Sequence, residues 1–232
     1  MKAFKVLVGS LMVLSLIGSV VLMLMANPLW PWGSALTAFF FATAAVSKAF
    51  YLGPGTLRGK FHFILATGAL FLFAAMVVML VSGTTGVAYT LHYLARFVFI
   101  VSVAMMFLGL LKQGYSLSLW EWVQVVLAFG IITGVALWFF YGLYAGASLM
   151  TSVLVYMSIV LMFITLAVVR VYLGSSLGWR WTGGAISVLF ITLGDMALAY
   201  YSTTASPVWE ITQFISWSVM AGIMCVISLM WD

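Results

Sequence analysis

Charge is what this chain has least of. Its 232 residues include nine Lys or Arg and four Asp or Glu, so 6% are charged while 66% are hydrophobic. A soluble domain is about 25% charged, and this chain could not cover a water-facing surface. That excludes a soluble globular protein and a disordered chain. The formal net charge of +5 and the pI of about 9.4 come from scattered cations and form no basic patch, so no nucleic-acid partner is expected. Cysteine is nearly absent too. Cys225, alone in an apolar run, excludes a disulfide framework and a thiolate metal cluster. The two histidines, His62 and His92, fall at opposite ends of neighbouring apolar runs and cannot share a metal or haem, so no metal site and no cofactor is expected. No His-Glu-x-x-His, phosphate loop or dinucleotide fingerprint occurs, and nucleophilic enzyme chemistry is not expected. The last lysine is Lys112, too early for the retinal lysine of an opsin.

Long hydrophobic runs are present in abundance. A helix needs about 20 apolar residues to cross the hydrocarbon core. Eight stretches qualify or nearly so, at about 6–25, 34–52, 61–82, 89–111, 120–143, 148–172, 181–201 and 208–230. The fold class they predict is all-α, a polytopic integral membrane protein of eight transmembrane helices in a single domain over 1–232. The second run is the shortest and richest in small residues. The prolines (Pro28, Pro31, Pro54, Pro207) are read as lying between runs, where a missing N–H costs nothing. The first run lacks a clear small-residue cleavage site and reads as a retained helix.

With eight helices, Lys2, Lys5, Lys48, Arg58, Lys60, Lys112, Arg170 and Arg180 all fall on one side, and the connections on the other side carry no Lys or Arg. The positive-inside rule then predicts a cell-membrane protein with both termini cytoplasmic. These inner cations are expected to set topology and contact anionic lipid. Lys48-Ala-Phe-Tyr-Leu-Gly53 and Arg170-Val-Tyr-Leu-Gly174 precede the third and seventh helices, and Arg96-Phe97 in the fourth echoes Gln213-Phe214 in the eighth. These echoes suggest two four-helix halves, 1–115 and 116–232.

Charge inside the hydrocarbon is costly and marks a site to test. Arg96 and Asp195 lie well inside predicted helices, each roughly 10 Å below the outer boundary at 1.5 Å per residue. Gln213 falls in the same layer, with Glu210 one turn above it on the same face as Trp217, and His92 is one turn above Arg96. The predicted site is therefore a polar layer of His92, Arg96, Asp195, Glu210 and Gln213. It reads either as a buried Arg96–Asp195 ion pair that fixes packing or as a pocket for a polar ligand or lipid headgroup. A proton or ion path is a third reading. Tyr89, Tyr93, Tyr200 and Tyr201 read as an aromatic belt. Glu121 is placed to favour a helix N-terminus and to pair with Lys112 or another inner cation. Gly130-x-x-x-Gly134 and Gly142-x-x-x-Gly146 suggest close internal helix packing.

The segment Gly178-Trp-Arg-Trp, Leu193-Gly-Asp195-Met-Ala-Leu-Ala-Tyr-Tyr201 and Trp209 resembles the last two helices of multi-helix membrane sensor domains, which carry a Gly-Asp near the outer end of the penultimate helix. Those domains precede kinase or cyclase modules; none follows Asp232, so the resemblance implies a stand-alone sensing or partner-binding module. Asp195-x-x-Leu-Ala199 is also similar to a motif of the eight-helix lysoplasmalogenase-type family. That family carries a further acidic residue in its first half, where this chain has neither Asp nor Glu. The leading expectation is a non-enzymatic sensor-like module, or an accessory subunit of a membrane complex, with lipids and other membrane subunits as partners. A lipid-acting enzyme using Asp195 as acid/base, and a small-solute or ion transporter, are the alternatives.

Overall fold

A computed structural model describes residues 2–83, 85–144, 148–173, 175 and 177–230, without the side chains of Lys2 and residues 139–144. Among these residues there are eight helices and no strand: α1 (Lys2–Leu24), α2 (Trp30–Leu52), α3 (Leu57–Ser82), α4 (Gly86–Lys112), α5 (Leu119–Tyr144), α6 (Leu149–Tyr172), α7 (Gly178–Thr204) and α8 (Pro207–Leu229). Each is long and apolar enough to cross a membrane. The molecule is a multi-pass helical membrane protein.

Hydroxyl caps start four of the helices. Ser118 Oγ, at the start of α5, accepts from the amide of Glu121 (3.4 Å). Thr56 Oγ1 accepts from the amide of Gly59 (3.0 Å), Thr85 from Ala88 (3.4 Å) and Ser148 from Thr151 (3.3 Å). Two prolines expected between runs instead sit in first turns, Pro31 in α2 and Pro207 in α8. The first turn has no intrahelical use for their missing N–H, so each helix extends to include its proline. Gly53 and Gly83 end α2 and α3 at φ of 85° and 73°, angles that a side chain would strain.

Six helices close into a ring in the order α2, α3, α4, α6, α7, α8 and back to α2. The two remaining helices lie outside it, α1 against α2 and α8, α5 against α6 and α7. Counting around the eight helices, adding four to each number maps every ring contact onto another ring contact and α1 on α2 onto α5 on α6, but the second contact of each outer helix differs, α1 lying on α8 and α5 on α7 rather than α4. Of the short echo that motivated the halves, Gly174 lies outside the described residues.

The small-residue content of α2 now has a reason. Ala35, Ala38, Ala42, Ala45 and Ala49 form a stripe at alternating three- and four-residue spacing, and all are buried. Methyl-sized contacts let α2 be covered by α1, α3 and α8 at once. The glycines of α5 behave differently. A Cβ added at Gly130 or Gly134 would meet nothing within 4 Å. The expected internal packing of this pair is therefore incorrect: both face outward, because among the described side chains of α5 only Val125 is buried. Gly146 of the second pair lies outside the described residues. Gly130→Ala and Gly134→Ala should each leave the unfolding midpoint in detergent unchanged or raise it slightly, since alanine is favoured over glycine in a helix by about 0.5–1 kcal/mol. A clear drop in the midpoint would mean that this face is packed.

Candidate functional site

Arg96 and Asp195 come together. They stand on α4 and α7, which are not neighbours in the ring, so the length of the arginine side chain spans the interior. Its Nε donates to Asp195 Oδ2 at 2.8 Å, and a second guanidinium nitrogen pairs with Oδ1 in a closer contact. Both side chains are fully buried. Two further donors complete the carboxylate. Ser158 Oγ on α6 donates to Oδ2 at 2.5 Å, and Trp217 Nε1 on α8 donates to Oδ1 at 3.2 Å. Asp195 thus accepts four hydrogen bonds from α4, α6 and α8, two at each oxygen. This is the arrangement a buried carboxylate needs, because its removal from water is offset only by a partner charge and filled lone pairs.

The rest of the predicted layer divides. His92 is fully buried, its ring 4.6 Å from that of Trp217 and tilted by 38°, with Nε2 at 3.2 Å from Met79 Sδ. Gln213 is also fully buried, yet neither amide atom has a hydrogen-bond partner among the described residues. The remaining guanidinium nitrogen of Arg96 and Nδ1 of His92 are in the same condition. Glu210 is only partly buried, and its electrostatic neighbour is Tyr201. The structure brings His92, Arg96, Asp195 and Gln213 inside and leaves Glu210 at the end of α8, because Glu210 is one turn nearer the connection.

Sequence reasoning missed Ser158. Serine is unremarkable in a membrane helix, and nothing local distinguishes this one from Ser152 or Ser187. Trp217 was placed on the right helix face, but its role was not legible. Gly194 explains how its indole gets there. A Cβ on Gly194 would collide with the Trp217 ring, so the glycine of the Gly-Asp pair clears room for the indole beside Asp195.

Other expectations resolve locally. Glu121 pairs with Arg170 at 3.0 Å rather than with Lys112. It also accepts from the amide and hydroxyl of Ser118, at 2.7 and 2.9 Å, capping α5. Tyr93 donates to the carbonyl of Met150 at 2.7 Å and so ties α4 to α6. Among the described residues no group of three His, Cys, Asp or Glu could hold a metal. The spacing Gly174-Ser-Ser176-Leu-Gly178 fits the Gly-x-Ser-x-Gly of hydrolase turns, which the expectation of no nucleophile motif passed over. That motif needs a strand before it and a helix after it; here it joins two helices, and Gly174 and Ser176 lie outside the described residues.

The cations at the opposite end were expected to set topology and to contact anionic lipid at the surface. Lys48, Arg58 and Arg180 instead line a single cavity with His62. Across this chain, no family model, curated protein or solved structure matches. The two family resemblances therefore rest on the quoted motif alone.

Proposed function

We propose that the chain acts by binding and not by bond cleavage, as a sensor-like module or an accessory subunit of a membrane complex. One observation carries this reading: both oxygens of Asp195 are occupied by donors from three other helices, in a fully buried site. A general acid or base needs a free position within about 3 Å for the proton it moves. A saturated carboxylate joining α4, α6, α7 and α8 is suited instead to hold those helices in register. The matching of α4 with α8, which contribute Arg96 and Gln213 to the same layer, supports a reading as two four-helix halves. The proposed setting is the cell membrane, with both termini cytoplasmic and the Arg96–Asp195 layer in the outer half; the eight cations on one side support it.

The test is direct. Purified protein incubated with phospholipid, lysophospholipid and vinyl-ether lysolipid should give no lipid product by mass spectrometry. Asp195→Asn should lower the unfolding midpoint. Turnover that Asp195→Asn abolishes without loss of folding would establish the lipid-acting enzyme in place of this reading.

A further inference from the structure

The ring is open at one end. There α2, α4, α6 and α8 finish and α3 and α7 begin, and all six ring helices contribute to one cavity of about 680 Å³ of empty space including its mouth. Four basic side chains line it (Lys48, Arg58, His62 and Arg180), and no carboxylate does so among the described residues. Lys48 is buried at 4% exposure, with its ammonium donating to the carbonyl of Met230 and lying 5.9 Å from the ring of Tyr51. Arg180, Arg58 and Lys5 are all close enough to act on it electrostatically. Converging like charges repel, and burying an ammonium is costly. An anion seated among them would offset both.

The cavity does not stop at the charges. It shares Phe61, Trp181, Gly184 and Met224 with a second chamber further along the ring, about 430 Å³ of empty space including its openings. All six ring helices line this chamber as well, and its two hydroxyl groups both donate to backbone carbonyls. Thr165 donates to Leu161 O (2.7 Å) and Ser187 to Gly183 O (2.9 Å), each within its own helix. From Trp181 to Ile191, the walls on α7 run ten residues, roughly 15 Å at 1.5 Å per residue. A chamber walled mainly by Phe, Leu, Val, Ile and Met side chains accepts hydrocarbon and repels a hydrated ion.

We infer that this funnel binds a single-chain amphipathic anion, with a phosphate or carboxylate head among Lys48, Arg58 and Arg180 and a hydrocarbon chain in the chamber below. The head region lies at the other end of the ring from the Arg96–Asp195 layer, the chamber ends about one turn short of it at Phe99 and Ile191, and the proposal stands whether or not that layer is structural.

Full-length, delipidated protein in detergent, assayed by native mass spectrometry and equilibrium binding, tests it with four probes: oleate, oleoyl lysophosphatidate, uncharged monoolein and inorganic phosphate. Oleate or oleoyl lysophosphatidate should bind one per chain, with monoolein and phosphate at least tenfold weaker. Lys48→Gln combined with Arg58→Gln should weaken the amphiphile at least tenfold. Gly184→Leu, which fills the junction of the two chambers, should weaken it while leaving phosphate unaffected. Should Gly184→Leu fail to fold, the charge variant decides alone. Monoolein binding as tightly as oleate removes the role of the cations, and phosphate binding as tightly as the amphiphiles removes that of the chamber. Unchanged affinity in the charge variant, or no binding of either anionic amphiphile, overturns the proposal.

Discussion

Arg96→Met should destabilise the protein by about 3–5 kcal/mol, the cost of removing one partner from a buried ion pair and leaving the other charge uncompensated. The environment here gives no relief. Asp195 is fully buried, and with Arg96 gone only Ser158 and Trp217 still donate to it. Hydrogen bonds of that kind inside membrane proteins average about 0.6 kcal/mol, too little to replace a full charge. Asp195→Leu should cost a similar amount, since the guanidinium is then buried alone. The double variant Arg96→Met with Asp195→Leu should be more stable than either single one, because apolar groups of similar volume can replace a buried pair at small cost. Ser158→Ala should lower stability by only about 0.6 kcal/mol. Unfolding by detergent titration or heat gives the double-mutant cycle. Strictly additive losses would show that the two residues act independently and would sink the coupling.

Gly194→Ala should be strongly unfavourable although alanine is the better helix former. In an open helix position the exchange gains about 0.5–1 kcal/mol. At Gly194 the new methyl would fall on the indole of Trp217, a rigid ring held in the fully buried interior of the ring of helices. Overpacking of that kind costs about 1–3 kcal/mol. Moving the indole would also break its 3.2 Å bond to Asp195, a net loss of about 0.6 kcal/mol. The sign is thus opposite to that expected at Gly130 and Gly134. Trp217→Leu should be destabilising by itself but should remove the penalty at Gly194. If Gly194→Ala raises the unfolding midpoint in the wild-type background, the close approach of Gly194 and Trp217 is wrong.

These two expectations mark where sequence reading worked and where it ended. Arg96 and Asp195 were found because charge in a hydrophobic run is rare, and their equal depth followed from residue counting along two helices. The same counting put Gln213 and His92 in the layer. It failed for Glu210, since a difference of one turn decides whether a side chain reaches the interior or stays at the helix end. It could not find Ser158, whose importance lies in facing Asp195 across helices 37 residues apart in the chain. The α5 glycines failed for a related reason. A small-residue spacing says that close approach is allowed, but whether a neighbour approaches depends on the place of that helix in the bundle.

The basic funnel shows the same division. Lys48, Arg58 and Arg180 are far apart in the chain, and positional counting assigned them to one side of the membrane and to surface contact with anionic lipid, not to one cavity. Three cations on one side are a topology signal; three around one cavity are a site.

The sequence alone determined the eight helices and the matching level of Arg96 and Asp195 along two of them, because these depend on local composition and on a fixed rise per residue. Only the tertiary structure decided that six helices close into a ring, that Ser158 and Trp217 complete the carboxylate, and that the cations converge on a hollow. Those facts depend on which helix faces which, and in a chain with so few polar groups that choice is made by shape, through close-packed alanines and a glycine beneath an indole.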